Sequence, residues 1–278
     1  MTDVDVIILV GQERLHIRRC LERLRPLEPS QIFVVESQPS DGTHEIAVEM
    51  GATAVFNKWP GNQALQFNWA LDNQKIEAKW VLRVDADEYL SDELIGEIRD
   101  FIATPPKDVS LVELPLARTW MQQRIRFGMP TVYIPRLFRY GLCRYGEREM
   151  DERLIATEGR TIRFKHPFID DNLNDFDWWK SKHLNYAERE ARQAIAGAHG
   201  NKAMYYRLPP YLRAIAYWGV RYFFFGGFLD GRAGWSWNFW QGLWYRWQVD
   251  RRIGALKREP KAADNNHGGS HQIEKCVI

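Results

Sequence analysis

Cysteine is scarce in this chain. Only three of the 278 residues are cysteines, and Cys20, Cys143 and Cys276 lie far apart in the sequence. Such a count supplies neither a disulfide framework nor a cysteine-rich metal cluster. It is typical of proteins that work in a reducing compartment, so we expect a cytoplasmic protein.

Long apolar runs and export signals are also missing. The longest apolar stretch, residues 214–229, is broken by Arg221 and falls short of the roughly 20 residues needed to span a bilayer. Residues 2–12 enter an apolar strand pattern directly, with no basic region or cleavage site. We therefore expect neither a transmembrane helix nor an export signal.

Net charge is close to zero, and the common phosphate-binding loops are absent. A formal charge of +2 gives no whole-chain case for nucleic-acid binding. No G-x-G-x-x-G follows the first strand pattern, and no G-K-[ST] occurs anywhere. A nucleotide bound by this chain needs another way of neutralising its phosphates.

The first hundred residues show apolar strand patterns that alternate with helix patterns. VDVIILV, QIFVVE, ATAVFN and KWVLRVD predict four strands. The first helix pattern places Leu15, Cys20, Leu21 and Leu24 on one face. Continuous apolar strands in a βαβ rhythm favour an α/β, Rossmann-like fold with a mostly parallel sheet covered by helices.

Acidic residues gather where the fourth strand pattern ends, in VLRVDADEYL. Residues i and i+2 of a strand point the same way, so we expect Asp85 and Asp87 to face one spot while Ala86 packs behind them. Glu36 ends the second strand and is expected at the same edge, where α/β sheets bind ligands. Two converging carboxylates suit Mg²⁺ or Mn²⁺, which also bind diphosphate oxygens. The alternative is that Asp85, Asp87 and Glu88 only cap the next helix.

These motifs resemble those of family 2 glycosyltransferases of the GT-A fold. The motifs are ILVGQERLHIRRCLERL, VVESQPSDGT and WVLRVDADEYL. Segments similar to the subgroup that builds bacterial lipopolysaccharide core and exopolysaccharide are NQALQFNWAL, MDERL, HPFIDDNL, WWKSKHLNYAEREA and GFLDGRAGWSWNFWQGLWYRWQVD. The resemblance covers residues 4–255. It implies a GT-A sheet flanked by helices and a transferase that uses a nucleotide-sugar donor.

The resemblance also implies roles for residues at the carboxyl edge of the sheet. Glu13 and Glu36 are expected at the nucleoside pocket, where Glu36 reads the edge of the base. Asp85 is expected near the ribose and the metal, and Ala86 beside it in the nucleotide-sugar site. Asp87 is expected to be the main ligand of Mn²⁺ or Mg²⁺.

Two departures from the family pattern touch the nucleoside pocket. Val10, Gly11 and Gln12 stand where the family usually has a hydroxyl residue, an aromatic residue and Asn, and Val10 is still expected to line the donor site. Glu36 stands where Asp is usual and is one methylene longer. The resemblance favours UDP as the donor nucleotide and does not indicate the sugar.

A single displacement with inversion needs a general base opposite the leaving group, from a segment beyond the DAD strand. Two acidic clusters qualify. The first holds Asp151 and Glu152, and the second holds Asp170 and Asp171. The segment that matches MDE occupies the acceptor side in the related enzymes, so Glu152 is the first candidate and Asp151 the second. The alternative is that residues 147–153 form a solvated, self-paired charge run.

Two histidines are further candidates. His166 is a possible third metal ligand, because neutral imidazole coordinates Mn²⁺. Its alternative role beside Pro167 is structural. His183 is expected to pack in a helix or to contact the acceptor.

The C-terminal part is both basic and aromatic. Between Lys202 and Arg258 there are ten Lys or Arg residues against two acids, and six of the twelve tryptophans lie in residues 218–247. This mixture is typical of segments that lie in a membrane interface, and its alternative is an aromatic helical hairpin packed on the sheet. The residues expected to hold the membrane are Arg221, Trp237, Trp240 and Arg246.

The sequence therefore predicts three regions: a catalytic GT-A domain over 1–200, a helical membrane-interface and acceptor region over 201–258, and a disordered tail over 259–278. The expected function is inverting transfer of a sugar from a UDP-sugar to a lipid-linked or polysaccharide acceptor, at the inner face of the cell membrane. No nucleic-acid partner is expected. The alternatives are a catalytically silent nucleotide-binding scaffold of a membrane assembly and a metal-dependent nucleotidyltransferase.

Overall fold

The computed structural model describes residues 1–38, 41–146, 153–197 and 203–258. The chain forms two compact units. The first consists of Met1–Gln122 and Thr131–Leu173, and the second of Gln123–Pro130 and the residues from Asn174 onward. The sequence-based boundary at residue 200 differs from this division, and the predicted tail over 259–278 lies outside the described residues.

The strands are numbered along the whole chain, and all except β7 belong to the first unit. They are β1 (Thr2–Val10), β2 (Pro29–Glu36), β3 (Thr53–Phe56), β4 (Trp80–Asp85), β5 (Glu88–Leu90), β6 (Val109–Trp120), β7 (Gln123–Ile125), β8 (Tyr133–Arg139), β9 (Cys143–Tyr145), β10 (Leu154–Ala156), β11 (Arg160–Arg163) and β12 (Phe168–Asp170). The helices of this unit are α1 (Ile17–Leu24), α2 (Thr43–Glu49), α3 (Gln63–Asn73) and α4 (Asp92–Ala103).

The central sheet has the order β3-β2-β1-β4-β8-β6-β12-β5, with β11 also paired to β6. The pairs β3–β2, β2–β1, β1–β4, β6–β12 and β6–β11 are parallel. β8 is antiparallel to both of its neighbours, and β5 is antiparallel to β12. Strands β9 and β10 form a separate hairpin. The predicted α/β class, a mostly parallel sheet flanked by helices, is confirmed.

Helices cover the sheet because their apolar residues recur at helical spacing. On α1 the buried side chains are Ile17, Cys20, Leu21 and Leu24. Leu15, which we expected on this face, is 55% exposed, because the helix begins only at Ile17. Two further helices begin at polar caps, as side-chain oxygens of Asn62 and Ser91 accept backbone N–H groups of α3 and α4.

The second unit is mainly helical. Its elements are α5 (Phe176–Ile195), α6 (Ala203–Arg207), α7 (Leu212–Gly219), a π-helical turn (Val220–Phe224), a 3₁₀ turn (Gly227–Asp230), α8 (Gly231–Trp237), a second π-helical turn (Asn238–Trp244) and α9 (Tyr245–Arg258). Ala187 and Ala191 of α5 form a buried cluster with Val249 and Ile253 of α9. This packing explains why α5, which sequence patterns placed in the first domain, belongs to the second unit.

Three of the four residues expected to hold the membrane have side chains that pack inside the second unit. Arg221 is 4% exposed and Trp237 is 8% exposed. Arg246 lies between Glu190, at 2.7 Å, and the rings of neighbouring tyrosines. Trp240 is half-buried in a cluster of aromatic rings. The expectation that these residues contact a membrane is therefore wrong for Arg221, Trp237 and Arg246, whose side chains pack inside the unit.

A helix that spans a membrane is long and predominantly apolar. Within residues 1–38, 41–146, 153–197 and 203–258, no helix combines the necessary length and apolar character.

Candidate active site

Three neighbouring strands end side by side in the first unit. Val10 at the end of β1 pairs with Glu36 at the end of β2, and Leu9 pairs with Asp85 at the end of β4. All three strands are parallel, so their carboxyl ends meet at one edge of the sheet. This is the edge at which open α/β sheets bind ligands.

Asp85 is held by two arginines. Its Oδ1 lies 3.3 Å from Arg83 Nε, and its Oδ2 lies 3.1 Å from Arg136 Nη2. Burial alone raises the pKa of this carboxyl, but Arg136 and Arg83 outweigh it and hold the pKa of Asp85 well below its usual range. Asp85 is therefore ionised and already neutralised by protein charge.

The residues after Asp85 form a turn, which corrects the sequence expectation. Strand β4 ends at Asp85, and Ala86 and Asp87 lie in the turn before β5. The rule that residues i and i+2 share a face of a strand does not apply here. Ala86 is buried, and Glu88 accepts the Asp85 N–H at 2.9 Å and pairs with Arg136. Glu88 thus fixes the turn and does not cap α4.

Asp87 is half-buried and is positioned by the segment that follows β12. Its Oδ2 accepts a hydrogen bond from Asn172 Nδ2 at 3.0 Å. Its carbonyl oxygen accepts the Asp171 N–H at 3.0 Å. No arginine contacts its carboxylate among the described residues, which distinguishes it from Asp85.

Asp171 anchors that segment. Its Oδ2 is 2.6 Å from Arg19 Nη1, and its Oδ1 accepts from Thr119 Oγ1 at 2.6 Å. Arg19 also donates to its carbonyl oxygen. Both carboxylate oxygens are engaged, which disfavours Asp171 as the base. Asp170 lies in β12 opposite Glu88 and is half-buried.

Glu13 belongs to a chain of hydrogen bonds that the sequence did not reveal. Its N–H donates to Thr43 Oγ1 at 3.0 Å, and its Oε2 is 2.7 Å from His16 Nδ1. His16 Nε2 accepts the Leu173 N–H at 3.0 Å. Since Nε2 is an acceptor, the ring proton is on Nδ1 and is donated to Glu13. His16 therefore connects the loop after β1 to the segment that holds Asp87.

Glu36 is fully buried at the carboxyl end of β2. Its Oε2 is 3.0 Å from His44 Nδ1. Its Oε1 is buried and has no hydrogen-bond partner among the residues that the structure describes. A buried acceptor of this kind needs an explanation, and a ligand donor is one.

The structure does not bring the two candidate histidines to this edge. The His166 N–H donates to Glu97 of α4 at 3.0 Å. His166 precedes β12, whereas Asp87 is bonded to Asp171 beyond the other end of that strand, so the length of β12 separates them. This placement does not favour His166 as a metal ligand together with Asp87, and that role stays a prediction. His183 stacks on Trp179 within α5, as a helix-packing residue.

Glu152 and Asp151 lie outside the described residues. The residues that sequence reasoning missed are Arg83, Arg136 and His16. A signal existed only for Arg83, which stands two positions before Asp85 in the same strand and therefore shares its face.

The described donor set fits a divalent cation that is shared with a substrate. No group of three or more His, Cys, Asp or Glu side chains in the described part of the chain is arranged to hold a metal ion. Mg²⁺ at phosphate sites takes one or two carboxylates, and substrate oxygens and water complete its shell. Asp87 meets that requirement, because Asn172 engages only one of its carboxylate oxygens among the described residues.

The fold is α/β, and this edge is the one at which open α/β sheets bind ligands. The chain belongs to glycosyl transferase family 2, whose model matches residues 5–154, more than half of its length. An uncharacterized glycosyltransferase of Rickettsia bellii is 31% identical over 105 residues, 38% of this chain and 34% of that protein. One of Rickettsia felis is 28% identical over 108 residues, 39% of this chain and 37% of that protein. The match thus spans little more than a third of these relatives.

Two solved structures are also similar to this chain. S. aureus TarS has 16% sequence identity and a TM-score of 0.45, over 69% of this chain and 39% of that one. Glucosyl-3-phosphoglycerate synthase from Mycobacterium tuberculosis, in complex with Mn²⁺, UDP and glucosyl-3-phosphoglycerate, has 17% identity and a TM-score of 0.34, over 42% of this chain and 44% of that one.

Proposed function

We propose that this family 2 glycosyltransferase moves a sugar, with inversion, from a UDP-sugar to a lipid-linked or polysaccharide acceptor of cell-surface glycan synthesis. One observation carries the donor part. A fully buried glutamate with an unengaged oxygen and an accessible aspartate, Glu36 and Asp87, follow parallel strands that end at one edge. Glu36 suits contact with the nucleobase of the donor, and Asp87 suits a cation bound to its diphosphate.

Glu36 supports uracil as the base. The imide N–H of uracil is a donor, and the Oε1 of Glu36 is an acceptor without a partner among the described residues. A base that donates there satisfies the buried oxygen, whereas one that presents an acceptor repels it. Val10, Ala86 and Glu13 form the neighbouring wall of the proposed donor site.

Asp87 is the proposed protein ligand of Mn²⁺ or Mg²⁺, with Asp85 behind it. When bound, such a cation stabilises the charge that grows on the departing diphosphate. Arg83 and Arg136 fix the Asp85 carboxylate, and Asn172 fixes that of Asp87. The carboxylates therefore do not need to reorganise when a donor binds.

A general base must take the proton from the acceptor hydroxyl. We propose Glu152 for this role, with Asp151 second and Asp170 as the remaining residue of the other cluster. The support is the similarity of MDERL to the acceptor side of the related subgroup. A lipid-linked acceptor would bring the enzyme to the inner face of the cell membrane.

The test is a screen of UDP-, GDP- and dTDP-sugars with Mn²⁺ or Mg²⁺ in which release of nucleoside diphosphate is measured. We expect UDP release that stops with excess chelator and in Asp87→Asn, which also weakens UDP binding in Mn²⁺. The control Asp100→Asn changes an exposed carboxylate of α4 and should retain activity. Full activity in chelator would overturn the metal role. Pyrophosphate release would indicate a nucleotidyltransferase, and no turnover of any donor a silent scaffold.

A further inference from the structure

One surface of the second unit exposes several large apolar side chains. We call it the phenylalanine ridge, and its members are Phe127, Phe223, Phe224, Phe225, Phe228 and Leu229. Phe224 is 81% exposed and Phe223 is 64% exposed, whereas Trp237 of the same unit is only 8% exposed. Contiguous exposed apolar groups of this kind mark interaction surfaces.

The ridge is a built structure, because hydrogen bonds join the two segments that form it. The Asp230 carboxylate accepts the N–H groups of Arg126 and Phe127, at 2.9 and 2.8 Å. The Gly128 N–H donates to the Phe225 carbonyl at 2.9 Å, and Arg221 Nε donates to the Gly128 carbonyl at 3.0 Å. These hydrogen bonds hold the two segments in place, and the phenylalanine side chains therefore stay exposed.

Three backbone N–H groups of the ridge bond to carbonyl oxygens of the same segment. The Phe225 N–H bonds to the Val220 carbonyl, the Gly226 N–H to the Phe223 carbonyl, and the Leu229 N–H to the Gly226 carbonyl. A segment that enters a region poor in water must pair its polar groups, since each unpaired group costs free energy there.

Positive charge borders the ridge. Arg126 precedes Phe127, Arg232 follows the 3₁₀ turn, and both are exposed. Arg124, two positions before Arg126, is also exposed, whereas Arg213 and Arg221 are buried and engaged inside the unit. Asp230, the acid of the two ridge segments, is half-buried and is engaged by backbone N–H groups. Positive charge therefore predominates beside the phenylalanines, which complements anionic lipid head groups.

We propose that the phenylalanine ridge inserts into the interfacial layer of an anionic bilayer, with Arg126 and Arg232 on the lipid phosphates. Aromatic side chains and arginines prefer that layer, and apolar area with basic charge determines how strongly a non-spanning protein binds. This inference deepens the proposed lipid-linked acceptor and rests on it for its biological purpose. The sequence-based expectation named Arg221, Trp237 and Arg246 as membrane contacts, and these residues pack inside the unit. The proposed contact is instead the exposed phenylalanine ridge.

Sedimentation of the full-length protein with vesicles tests the ridge. We expect binding to vesicles of phosphatidylcholine with phosphatidylglycerol and weak binding to phosphatidylcholine alone. Phe223→Ser with Phe224→Ser should weaken partitioning by about ten-fold or more, since inserted apolar area supplies much of the binding. The matched control is Val48→Ser with Ile155→Ser, which removes exposed apolar side chains from the first unit.

Two double charge-reversal variants separate the electrostatic attraction to the vesicles from the insertion of apolar side chains. Arg126→Glu with Arg232→Glu should weaken binding to the anionic vesicles and remove its dependence on salt. Lys75→Glu with Lys107→Glu makes the same change of net charge on the first unit and should have a much smaller effect. Equal effects of the two pairs would mean that net charge alone attracts the protein, which would overturn the proposed surface.

Insertion is measured directly with an environment-sensitive fluorophore on a cysteine at position 224, in a chain carrying Cys276→Ser. Cys20 and Cys143 are buried. We expect a blue shift with anionic vesicles and quenching by lipid-borne but not by aqueous quenchers, and neither effect for a label at 155. Absence of both at 224 would overturn the proposal.

Two further measurements distinguish a dimer interface at the ridge and a failure of the proposed transferase activity. If the wild-type protein is a dimer without vesicles and Phe223→Ser with Phe224→Ser is a monomer, the ridge is an interface between copies and the proposal is overturned. UDP release from the donor is measured in parallel for every variant. Loss of vesicle binding with normal UDP release leaves the proposed transferase intact, whereas absent UDP release with normal vesicle binding refutes only the transferase.

Discussion

Asp85 and Asp87 have different surroundings although only one residue separates them. Asp85 is paired with Arg83 and Arg136, which hold its pKa well below the usual range. Asp87 accepts a single side-chain hydrogen bond among the described residues, from the neutral amide of Asn172. A cation gains more from the second carboxylate, because its charge is not already compensated. This difference favours Asp87 over Asp85 as the proposed ligand of the cation.

The first residue-scale prediction concerns the base. Glu152→Gln should lower kcat by at least about a hundred-fold, because the acceptor hydroxyl then loses its proton acceptor. Binding of UDP in Mn²⁺ should stay near normal. The measurements are steady-state kinetics with an acceptor extract and calorimetric UDP titration. Asp170→Asn is the comparison, and if it has this profile while Glu152→Gln is nearly silent, the base belongs to the second cluster.

The second prediction concerns His16, a positioning residue. Asn retains a donor near the Nδ1 position toward Glu13, whereas Gln retains an acceptor near the Nε2 position toward Leu173. Each lost hydrogen bond removes about 1 kcal/mol, or roughly five-fold, from the interaction it supports. We expect His16→Asn to raise the Mn²⁺ concentration for half-maximal activity and His16→Gln to raise KM for the UDP-sugar. Equal changes of both parameters in both variants would indicate a purely structural role.

At the scale of elements, the second unit depends on a buried ion pair. Asp250 of α9 accepts from the Tyr211 N–H at 2.7 Å and from Arg213 Nε at 2.8 Å. Its side chain is fully buried and that of Arg213 is 5% exposed. The pair therefore joins the start of α7 to α9 where no water can replace either partner.

Asp250→Ala should lower the free energy of unfolding by about 3–5 kcal/mol, because it leaves Arg213 buried and uncompensated. The measurement is urea unfolding followed by tryptophan fluorescence. Arg251→Ala, at the next and exposed position of α9, should change the free energy of unfolding by less than about 0.5 kcal/mol. Similar losses for the two variants would contradict the importance of the pair.

At the scale of the whole molecule, buried groups that stay protonated make the fold sensitive to alkali. Burial raises the pKa of Cys143 from 9.0 to about 11. Burial also raises the pKa of Tyr205 from 10.0 to about 12. Between those values the unfolded chain loses protons that the native chain keeps. The stabilisation is therefore complete below the unfolded values and is lost as pH rises through the folded ones.

We accordingly expect the urea midpoint to fall steadily between pH 9 and pH 12, the range over which Cys143 and Tyr205 ionise in the unfolded and folded states. Tyr205→Phe removes one of these groups and should make the decline shallower, while stability at neutral pH is maintained because the buried hydroxyl has no partner among the described residues. Tyr140→Phe, at an exposed position, is the control. An unchanged slope in Tyr205→Phe would refute the assignment.

The sequence by itself determined the alternation of β1 to β4 with α1 to α3 and the sheet edge at which the candidate site lies. Continuous apolar runs such as VDVIILV indicate strands that are covered on both faces of the sheet. When helices connect such strands, the strands run parallel and their carboxyl ends lie at the same edge. Glu36 and Asp85 could therefore be placed at one edge from the sequence, and the register of β1 with β2 and β4 agrees.

Only the tertiary structure decided which of those carboxylates is neutralised and which aromatics face outward. Arg136 reaches Asp85 across 51 positions of the chain, and Arg19 reaches Asp171 across 152. Local patterns carry no information about such pairs. In the second unit every turn is rich in aromatics and arginines, so composition could not separate buried Trp237 from exposed Phe224. That distinction arises from helix packing, because each side chain has a neighbour or lacks one only after distant segments meet.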